Sequence, residues 1–425
     1  MLDHKEILDL RSKHLGPSLS VSYDEPLHIV RGEGQYLFDA KGNRYLDCVN
    51  NIQHVGHCHP KVVEAAQQQY KKLNTNTRYL DETIVNYAKD ITSTLPDGLE
   101  VCFFTNSGSE ANDLALRLAR QFTGSKATIV LDGAYHGNLS SLIEISSYKH
   151  NGPGGSGTPD HVHVIPIPDQ YRGKYRGEEC SEQYVQEVQN AIETIQNNDK
   201  NVSAFIAEAL MGCGGQLMLP KGFLKESFTK IKNAVGVCIA DEIQIGFGRM
   251  GSHFWGFESE GAIPDIVTMG KSMGNGHPLS AVVTTRKIAD SFNNGMEYFN
   301  SFGGNPVSCA IGQAVLDVIK EEGLQENALK VGSYLLDQLK NLQNQHDLIG
   351  EVRGRGLFIG IELVKDELAP ATAESQTIVN HMKDKGLLLS TDGPDHNVIK
   401  IKPPLVFNKE NADELVKTLD ETMTE

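Results

Sequence analysis

Four groups of residues with complementary chemistry stand at separate points along the sequence. A short apolar run ends in Ser107-Gly108-Ser109, Tyr135 follows a second such run, Asp241 a third and Lys271 a fourth. In that order they can supply hydroxyl and backbone N–H groups for an anion, an aromatic face, a carboxylate and a nucleophilic amine. The pattern indicates one composite site assembled from distant parts of the chain.

The Ser107-Gly108-Ser109 run is typical of a phosphate-binding helix start. Apolar residues recur at helical spacing from Ala111 to Phe122, so a helix is predicted to begin near Ser109 and to stop at Gly124. The first N–H groups of a helix have no intrahelical partner and lie at its positive end, where they bind anions. From the motif alone, an ordinary N-cap role for the serines is equally open.

Two further motifs can hold a planar, reactive ligand. In DGAYHGNLSS (132–141), Tyr135 and His136 follow a predicted strand, where an aromatic ring can cover a planar ligand, although simple packing is its commoner role. In MGKSMGNG (269–276), Lys271 is framed by glycines and apolar residues. That setting suits a Schiff-base lysine better than a solvated one, although a surface charge is the commoner role for a lysine after a strand.

Together these residues provide the four groups that pyridoxal phosphate requires. The cofactor needs a phosphate cup, a stacking aromatic ring, a lysine and a carboxylate that keeps its ring nitrogen protonated. Asp241, in IADEIQIGFGR (239–249), can supply the carboxylate, and the neighbouring Glu242 is predicted to be structural. The residues therefore predict a pyridoxal-phosphate site in which Lys271 and Asp241 are the catalytic residues.

The elements that must position this site read as an α/β fold. Short apolar runs alternate with helical patterns, which is typical of a mainly parallel sheet with ligands at the carboxyl ends of its strands. We predict a large cofactor-binding domain over residues 55–315 and a small α+β domain over 316–425, to which residues 1–54 contribute. The predicted strands are Ala127–Leu131, Ala204–Ala207, Val235–Ala240, Ile266–Met269 and Ala281–Thr284.

Two regions outside the predicted sheet have clear patterns of their own. Residues 27–51 alternate like a β-meander with a turn at Lys41-Gly42-Asn43. Residues 150–161 are rich in glycine and proline, which indicates a surface loop rather than a domain boundary.

Composition narrows the classes of partner and location. The 425-residue chain has a formal net charge of −16, which disfavours nucleic acid and anionic membranes as partners. No window is apolar enough to span a bilayer, and the early acidic residues argue against a leader segment, so a cytoplasmic location is expected. The seven scattered cysteines are expected to be reduced thiols rather than disulfides.

Three motifs that resemble other chemistry are incomplete. GKS (270–272) is not a P-loop, because Asp265 stands where the motif needs its first glycine. No G-x-G-x-x-G opens a helix after a strand, so a dinucleotide enzyme is disfavoured. The cluster of His54, His57, Cys58 and His59 lies in a turn too tight to converge on one ion, so structural roles are expected and no metal site is predicted.

With these motifs, the chain resembles the class III aminotransferase family of pyridoxal-phosphate fold type I over nearly its whole length. The motifs that carry the resemblance are NSGSEAND, YHG, ADEIQIGFGR, MGKSMGNGHP, FGGNP and RGRGLFIGIEL. The resemblance implies a homodimer, or a tetramer built from it, with active sites shared between subunits. It also implies that Lys271 binds the cofactor covalently and transfers protons, while Asp241 faces the ring nitrogen.

The same resemblance assigns the remaining cofactor contacts. Tyr135 would stack on the ring, Gln244 would lie near the ring hydroxyl, and Ser301 would reach the phosphate bound to the neighbouring subunit. The predicted cofactor-binding residues are Ser107, Gly108, Ser109, Tyr135, His136, Glu208, Asp241, Gln244, Lys271 and Ser301.

Two positions depart from the aminotransferase pattern. In EALMGCGG (208–215), Cys213 stands where many of these enzymes have a glutamate that pairs with a carboxylate-binding arginine, retained here as Arg353. An unpaired Arg353 is expected to be a standing anion site. Ile245 stands where the family commonly has a threonine beside the cofactor, and we expect its change to alter how the site handles protons or substrate.

Within the family, the chain is similar to a phospho-lyase branch whose members act on ethanolamine phosphate or phosphohydroxylysine. Stretches such as NNIQHVGHCHP, LNTNTRYL, PDQYRGKYR and STDGPDHNVIKIKPP carry this similarity. It implies that Lys271 removes a proton from the carbon beside the substrate amine, after which phosphate leaves the next carbon by β-elimination. The products would be an aldehyde, ammonia and phosphate, with no keto acid required.

A small phosphorylated amine, with ethanolamine phosphate favoured, is therefore the expected substrate, and its phosphate needs cations. Arg353 is the first candidate and Arg78 the second. Three further candidates follow, for each of which a solvated surface charge is as plausible as a ligand role: Arg172, Lys174 and Arg176. Two other functions remain open. One is an aminotransferase for ω-amino acids or amines; the other is a non-catalytic cofactor-binding protein, which the presence of Lys271 and Asp241 disfavours.

Overall fold

Helices and strands alternate over most of the computed structural model, which describes residues 2–198 and 200–425. The strands are β1 (Ile29–Glu33), β2 (Tyr36–Asp39), β3 (Arg44–Asp47), β4 (Val101–Thr105), β5 (Ala127–Leu131), β6 (Val162–Ile165), β7 (Val202–Ala207), β8 (Leu210–Met211), β9 (Leu217–Met218), β10 (Val237–Asp241), β11 (Ile266–Met269), β12 (Ser280–Thr284), β13 (Ile349–Arg355), β14 (Phe358–Leu363), β15 (Leu387–Leu388), β16 (Ser390–Asp392) and β17 (Val398–Ile401). The α-helices are α1 (His4–His14), α2 (Pro60–Lys72), α3 (Glu82–Thr92), α4 (Gly108–Thr123), α5 (Ser140–Ile143), α6 (Ser147–His150), α7 (Ser181–Gln196), α8 (Phe223–Asn233), α9 (Arg286–Phe292), α10 (Pro306–Glu321), α11 (Leu324–Gln343), α12 (Thr372–Asp384) and α13 (Lys409–Thr424).

The largest sheet has seven strands in the order β4-β12-β11-β10-β7-β5-β6. Strand β12 runs antiparallel to β4 and β11, and the other adjacent pairs are parallel. The central strands β7, β10 and β11 are buried along their whole length, as expected for a parallel sheet covered on both faces. The predicted α/β fold with a mainly parallel sheet is therefore confirmed.

Helices cover this sheet on both faces. Helix α4 packs Leu114 and its apolar neighbours against strand residues that include Ile239. The adjacent residue Cys238 points to the opposite face, where it packs with Phe228 of α8 and with α7. Because both faces are sealed, the carboxyl ends of the strands are the part of the sheet where polar residues can meet a ligand.

Two predicted strands, Ala127–Leu131 and Ile266–Met269, have the predicted bounds. The strand predicted at Val235–Ala240 is displaced, because Val235 has a φ of +59° and lies in the turn that follows α8. A β-branched residue with that φ cannot continue a strand. Strand β10 therefore begins at Val237 rather than at Val235. It also ends one residue later than predicted, so Asp241 is its last residue.

The C-terminal region forms a smaller antiparallel sheet in the order β13-β14-β17-β16, packed against α11 and α12. The N-terminal meander β1-β2-β3 contains the predicted turn, where Asp39 accepts hydrogen bonds from the backbone N–H groups of Lys41 and Asn43. Strand β3 pairs in parallel with β15. This pairing joins residues 1–54 to the C-terminal region, and the boundaries of the three predicted regions (1–54, 55–315 and 316–425) stay a prediction.

The histidine cluster has structural roles. His54 Nε2 donates to the Phe247 carbonyl at 2.7 Å, and His57 Nε2 lies 2.7 Å from Asp47 Oδ2, so the two rings serve different partners. Residues 2–198 and 200–425 contain no group of three or more His, Cys, Asp or Glu side chains that could hold a metal ion. Over the same residues, no helix combines the length and the apolarity needed to cross a membrane.

Candidate active site

The predicted phosphate cup lies where β4 ends and α4 begins. Ser107 is the N-cap of α4, and its hydroxyl oxygen accepts a hydrogen bond from the Glu110 N–H at 3.1 Å. Ser109 Oγ accepts from the Asn138 N–H at 3.0 Å. Because both hydroxyl oxygens act as acceptors in these bonds, their hydrogens remain available to an anion, together with the first N–H groups of the helix. The N-cap and phosphate-cup interpretations are therefore compatible.

Lys271 follows β11 in a short 3₁₀ turn that packs directly on this helix start. A Cβ on the preceding Gly270 would lie 3.5 Å from the backbone nitrogen of Gly108, so the two segments are in close contact. Lys271 has a φ of +34°, a conformation that is unfavourable by about 1 kcal/mol or more for a residue with a side chain. Asn275 supports the turn through hydrogen bonds to the Gly56 carbonyl and the Val55 N–H.

Asp241 ends β10 as a carboxylate with 4% exposure. Its Oδ2 accepts hydrogen bonds from Asn112 Nδ2 and His136 Nδ1, both at 2.8 Å, and its Oδ1 accepts from the Ile243 N–H at 3.2 Å. These donors offset the cost of burying a charged group. The bond to Asp241 makes Nδ1 the protonated ring nitrogen of His136 and thereby fixes the tautomer of a neutral imidazole.

Glu208 and Gln244 continue this buried polar cluster. Glu208 Oε2 accepts from the Gly212 N–H at 3.1 Å and lies 3.5 Å from Gln244 Nε2. Burial and the charge of Asp241 raise the pKa of Glu208 to about 7, although His136 acts in the opposite direction. Gln244 is held at its other end by Asn51 Nδ2, which donates to Gln244 Oε1 at 3.2 Å.

The cluster has the unsatisfied polar atoms expected around a bound cofactor. Of the fifteen buried side-chain atoms that have no hydrogen-bond partner among the described residues, five belong to this cluster or to residues beside it: Asn112 Oδ1, His136 Nε2, Glu208 Oε1, Thr268 Oγ1 and Ser272 Oγ. Buried polar groups are normally paired, so their concentration here points to a polar ligand. With the helix start, the Asp241 carboxylate, the Lys271 amine and the half-buried Tyr135 ring, these residues fit pyridoxal phosphate.

Ser301 lies at the edge of this site on an exposed loop before α10. Asn300 orders the loop, because its Oδ1 accepts from the N–H groups of Phe302 and Gly303 at 3.2 and 2.9 Å. Asn300 Nδ2 in turn donates to Glu110 in the first turn of α4, at 2.8 Å. The predicted contact of Ser301 with a neighbouring subunit stays a prediction.

A buried lysine beside this cluster, Lys402, was not predicted from the sequence. Its Nζ lies 3.0 Å from Gln244 Oε1 and 3.5 Å from Asp392 Oδ2, and the residue is 3% exposed. Burial lowers its pKa to about 8 in spite of the Asp392 carboxylate, and the positive charges of Lys400 and Lys271 contribute to the lowering. A usable signal was present, because Lys402 directly follows the apolar alternation of β17, just as Lys271 follows β11.

The expectation that Arg353 is unpaired is wrong. Its Nη1 donates to Glu351 Oε2 at 2.5 Å and to Glu362 Oε2, and its Nε and Nη2 donate to the Gly215 carbonyl at 3.1 and 2.6 Å. The guanidinium is 7% exposed. Two carboxylates, from β13 and β14, therefore take the place of the glutamate that many relatives have at position 213. Arg353 is not a standing anion site.

The other predicted phosphate-binding cations also have partners. Arg78 is largely exposed and hydrogen-bonds Glu297, while Arg172 pairs with Glu362 and Asp395. Lys174 pairs with Glu187 at 2.6 Å, and Arg176 is exposed with its Nε 3.3 Å from the Gly173 carbonyl. The structure favours none of these four as the first contact of a substrate phosphate, and their roles as ligands stay predictions.

The position of Ile245 does not support the expectation that this residue alters how the site handles protons or substrate. Its side chain is 1% exposed in the hydrophobic core, and a Cβ on Gly256 would lie 2.4 Å from its Cδ1. It therefore points into the apolar interior rather than toward the polar cluster of Asp241 and Gln244. The neighbouring Glu242 accepts backbone hydrogen bonds from Gly256 and Phe257, a structural role as predicted.

The chain is similar to known proteins over nearly its whole length. The family model for aminotransferase class-III matches residues 19–423. A Drosophila melanogaster protein named alanine–glyoxylate aminotransferase 2-like is 51% identical over 433 residues, covering 100% of this chain and 88% of that protein. Caenorhabditis elegans ethanolamine-phosphate phospho-lyase homolog 1 is 44% identical over 437 residues, covering 99% of this chain and 93% of that protein. A solved Arthrobacter phospholyase in complex with phosphoethanolamine has a TM-score of 0.94 and 41% identity, covering 99% of each chain.

The fold and the site thus define a pyridoxal-phosphate enzyme of fold type I. Within that class, the chain belongs to the class III aminotransferase family. The Lys271 turn, the α4 start and the Asp241 cluster are the residues that would hold the cofactor.

Replacing Lys271 tests the assignment of the covalent lysine. We expect Lys271→Ala to lower turnover more than about a thousandfold, since one amine would act as both covalent anchor and base. The visible absorbance of the covalently bound cofactor should disappear as well, as measured by spectrophotometry of the purified protein. Lys330→Ala, which removes an exposed amine paired with Glu326, is the matched control. Turnover at the wild-type rate in Lys271→Ala would show that another residue is the covalent lysine.

Proposed function

We propose that the protein is a pyridoxal-phosphate-dependent phospho-lyase that eliminates phosphate from a small phosphorylated amine. Ethanolamine phosphate is the favoured substrate, with acetaldehyde, ammonia and inorganic phosphate as products. The observation that carries the proposal is the buried ammonium of Lys402, whose Nζ lies 3.0 Å from Gln244 Oε1 and therefore beside the polar cluster.

Lys402 has the chemistry needed to hold a substrate phosphate. An ammonium has three N–H donors, and two of them are directed at Gln244 Oε1 and Asp392 Oδ2. The third has no hydrogen-bond acceptor among the described residues, and the Phe358 ring centroid lies 5.1 Å from Nζ, so this donor can serve an oxygen of a ligand. Burying the charged ammonium of Lys402 raises the free energy of the folded protein unless an anion lies nearby. Asp392 neutralises this charge incompletely, so a bound phosphate would stabilise it further.

Arg353 pairs with two carboxylates on strands β13 and β14, rather than with the single glutamate that many aminotransferases of this family use, and this difference also favours a lyase over a transaminase. An aminotransferase must bind the carboxylate of an amino acid and of a keto acid in turn, which calls for an accessible guanidinium. Arg353 is instead engaged by Glu351, Glu362 and the Gly215 carbonyl. A phosphorylated amine without a carboxylate places no demand on this residue.

The residues of the chain have separate roles in the proposed reaction. Lys271 would take the proton from the carbon beside the amine, and Asp241, held by His136 and Asn112, would keep the cofactor nitrogen protonated. Lys402 would hold the phosphate as it leaves the next carbon. The cofactor, when bound, supplies the electron sink that makes the first proton acidic.

The relatives support both the proposal and one alternative. The Arthrobacter phospholyase was solved with phosphoethanolamine, and the C. elegans relative has the name of an ethanolamine-phosphate phospho-lyase homolog. The D. melanogaster relative has the name of an alanine–glyoxylate aminotransferase 2-like protein, which keeps a class III aminotransferase acting on ω-amino acids or amines as the second candidate.

One assay separates the two candidates. Holoenzyme mixed with ethanolamine phosphate and no keto acid should release phosphate and ammonia in equal amounts, because elimination regenerates the cofactor without an amino acceptor. Phosphate is measured colorimetrically and ammonia by a coupled assay. If neither product forms, and alanine or glutamate instead converts the cofactor to its amine form with release of a keto acid, the lyase proposal is wrong.

Lys402 should control the affinity for the phosphorylated substrate. Lys402→Met is expected to lower kcat/KM for ethanolamine phosphate about a hundredfold, because a buried ionic contact is lost. The control is Lys330→Met, which removes an exposed ammonium paired with Glu326 on α11, outside the polar cluster. This control should change kcat/KM less than about threefold. Equal losses in the two variants would contradict the assignment of Lys402.

The pH dependence gives a second readout of the same residue. Because the pKa of Lys402 is lowered to about 8, its ammonium is present below that pH and is lost as the pH rises through it. We therefore expect kcat/KM, which reports groups of the free enzyme, to fall above pH 8. Lys402→Arg should move this fall to higher pH, because a guanidinium stays protonated. An unchanged alkaline limb in that variant would assign the titration to another group.

We further propose that the protein is a homodimer. The exposed apolar residues of segments 70–85 and 296–302 include Leu80 and Phe302, at 106% and 71% exposure. The two segments are in contact, because the guanidinium of Arg78 lies 3.9 Å from the ring centroid of Phe299. Large apolar side chains exposed together on two neighbouring segments are unusual for a monomer, and Ser301 lies within the second segment.

Charge substitutions on this surface test the dimer. Leu80→Asp combined with Phe302→Asp should reduce the mass in solution from that of two chains to that of one, measured by light scattering, because two carboxylates would be buried at the interface. Ile263→Asp alters an exposed apolar residue outside the two segments and should leave the mass unchanged. A wild-type protein with the mass of one chain would refute the proposal.

A further inference from the structure

The buried Arg353 contacts the turn that leads to Lys402. Its Nη2 and Nε both donate to the carbonyl of Gly215, in the turn between β8 and β9. The next residue, Gln216, donates from Nε2 to Asp392 Oδ2 at 2.9 Å. Asp392 Oδ2 is the atom that lies 3.5 Å from Lys402 Nζ. A continuous set of contacts therefore runs from Arg353 to Lys402.

The backbone of this turn adopts conformations that its neighbours must impose. Gly215 has a φ of +106°, and Gln216 has a φ of +52°, which is unfavourable for a residue with a side chain. A Cβ on Gly215 would lie 3.3 Å from Arg353 Nη2, so the arginine is packed tightly against the turn. Gly360, the strand partner of Arg353, provides the space for the side chain of Gln216.

Two carboxylates hold the guanidinium against the turn. Glu351 lies on the same strand as Arg353, and Glu362 lies on the adjacent strand β14. Glu362 is itself fixed, because its second oxygen pairs with Arg172 and accepts from Asn397 at 3.4 Å. Burial alone would raise the pKa of Glu362, but the charges of Arg353 and Arg172 lower it overall, so the ion pairs persist at neutral pH.

We infer that Arg353 is a positioning residue for the phosphate end of the substrate: held by Glu351 and Glu362, it fixes the Gly215–Gln216 turn and, through Asp392, the ammonium of Lys402. The inference rests on the proposed function, since it takes Lys402 as the phosphate-binding group. Arg353 acts without contacting the substrate, in contrast to the direct role expected from the sequence.

A double-mutant cycle on the holoenzyme distinguishes positioning from direct contact. The dissociation constant for inorganic phosphate, measured by calorimetry, should rise about tenfold in Arg353→Gln and at least as much in Lys402→Met. The double variant should bind no more than about threefold more weakly than Lys402→Met alone, because Arg353 would act through Lys402. Two losses that multiply would show that Arg353 binds the phosphate directly and would overturn the inference.

Steady-state kinetics provides a readout that a purely structural role would not move. Arg353→Gln should raise KM for ethanolamine phosphate about tenfold and change kcat less than threefold, because substrate positioning is affected and the Lys271 chemistry is not. A lowered melting temperature with unchanged KM and unchanged phosphate affinity would reduce Arg353 to a stabilising residue and overturn the inference. Lys330→Gln, on an exposed surface pair with Glu326 outside the set of contacts, is the control and should change neither constant.

Gly215→Ala keeps every charge and tests the same turn if Arg353→Gln does not fold. Alanine is strained at a φ of +106°, so the turn should shift and KM should rise as in Arg353→Gln. A folded Gly215→Ala with wild-type KM and phosphate affinity would count against the inference. The outcome is separate from that of the proposed function: absence of phosphate release from the wild type refutes the lyase, whereas the cycle on inorganic phosphate still decides the role of Arg353.

Discussion

The burial of one carboxylate governs the arrangement of the site. Asp241 ends a fully buried strand, where an unpaired charge would be strongly destabilising, and donors must therefore converge on it from other elements. Asn112 comes from α4 and His136 from the segment after β5. These hydrogen bonds bring the start of α4, which is predicted to bind the cofactor phosphate, and the Tyr135 segment to the same strand end. The elements of the predicted cofactor site are therefore held together by the hydrogen bonds that a single buried carboxylate requires.

The distribution of positive charge separates two kinds of substrate. Lys271 and Lys402 lie in or beside the polar cluster, and the partners of Lys402 leave one of its donors free. Arg353 is buried nearby but neutralised by Glu351 and Glu362. A guanidinium recognises a carboxylate by paired hydrogen bonds, whereas an ammonium is a compact charge suited to any face of a phosphate. In this site the ammonium groups can contact a ligand, whereas the guanidinium of Arg353 is occupied by carboxylates of the protein.

The parts of the molecule that the sequence predicted well are those specified by local patterns. The sheet strands, the α4 start and the positions of Asp241 and Lys271 depend on short-range periodicity and on the ends of elements. Lys402 and the true partners of Arg353 depend on contacts between distant segments: Lys402 meets Gln244 across 158 positions, and Arg353 meets Gly215 across 138. No local pattern shows which carboxylate will neutralise an arginine in the folded chain.

Ile245 illustrates a different limit. The motif located Ile245 correctly along the chain, but its side chain does not point toward the cofactor site as expected. The chain turns sharply after β10, so neighbouring residues point to opposite sides. The polar Gln244 faces the cluster and Ile245 faces Gly256 in the core. Where a strand ends in a turn, position in a motif does not establish contact with a ligand.

Glu110 has a consequence that reaches beyond the cofactor site. Its Oε2 accepts from Asn106 just before the phosphate cup and from Asn300 in the loop that carries Ser301, so one carboxylate ties both segments together. Any contact that orders the loop therefore also orders the start of α4, and linkage requires the reverse effect to be equally large. If a second chain covers the loop, as proposed for the homodimer, cofactor binding at the start of α4 and association of the two chains would favour each other. The fraction of protein that holds the cofactor would then rise with protein concentration.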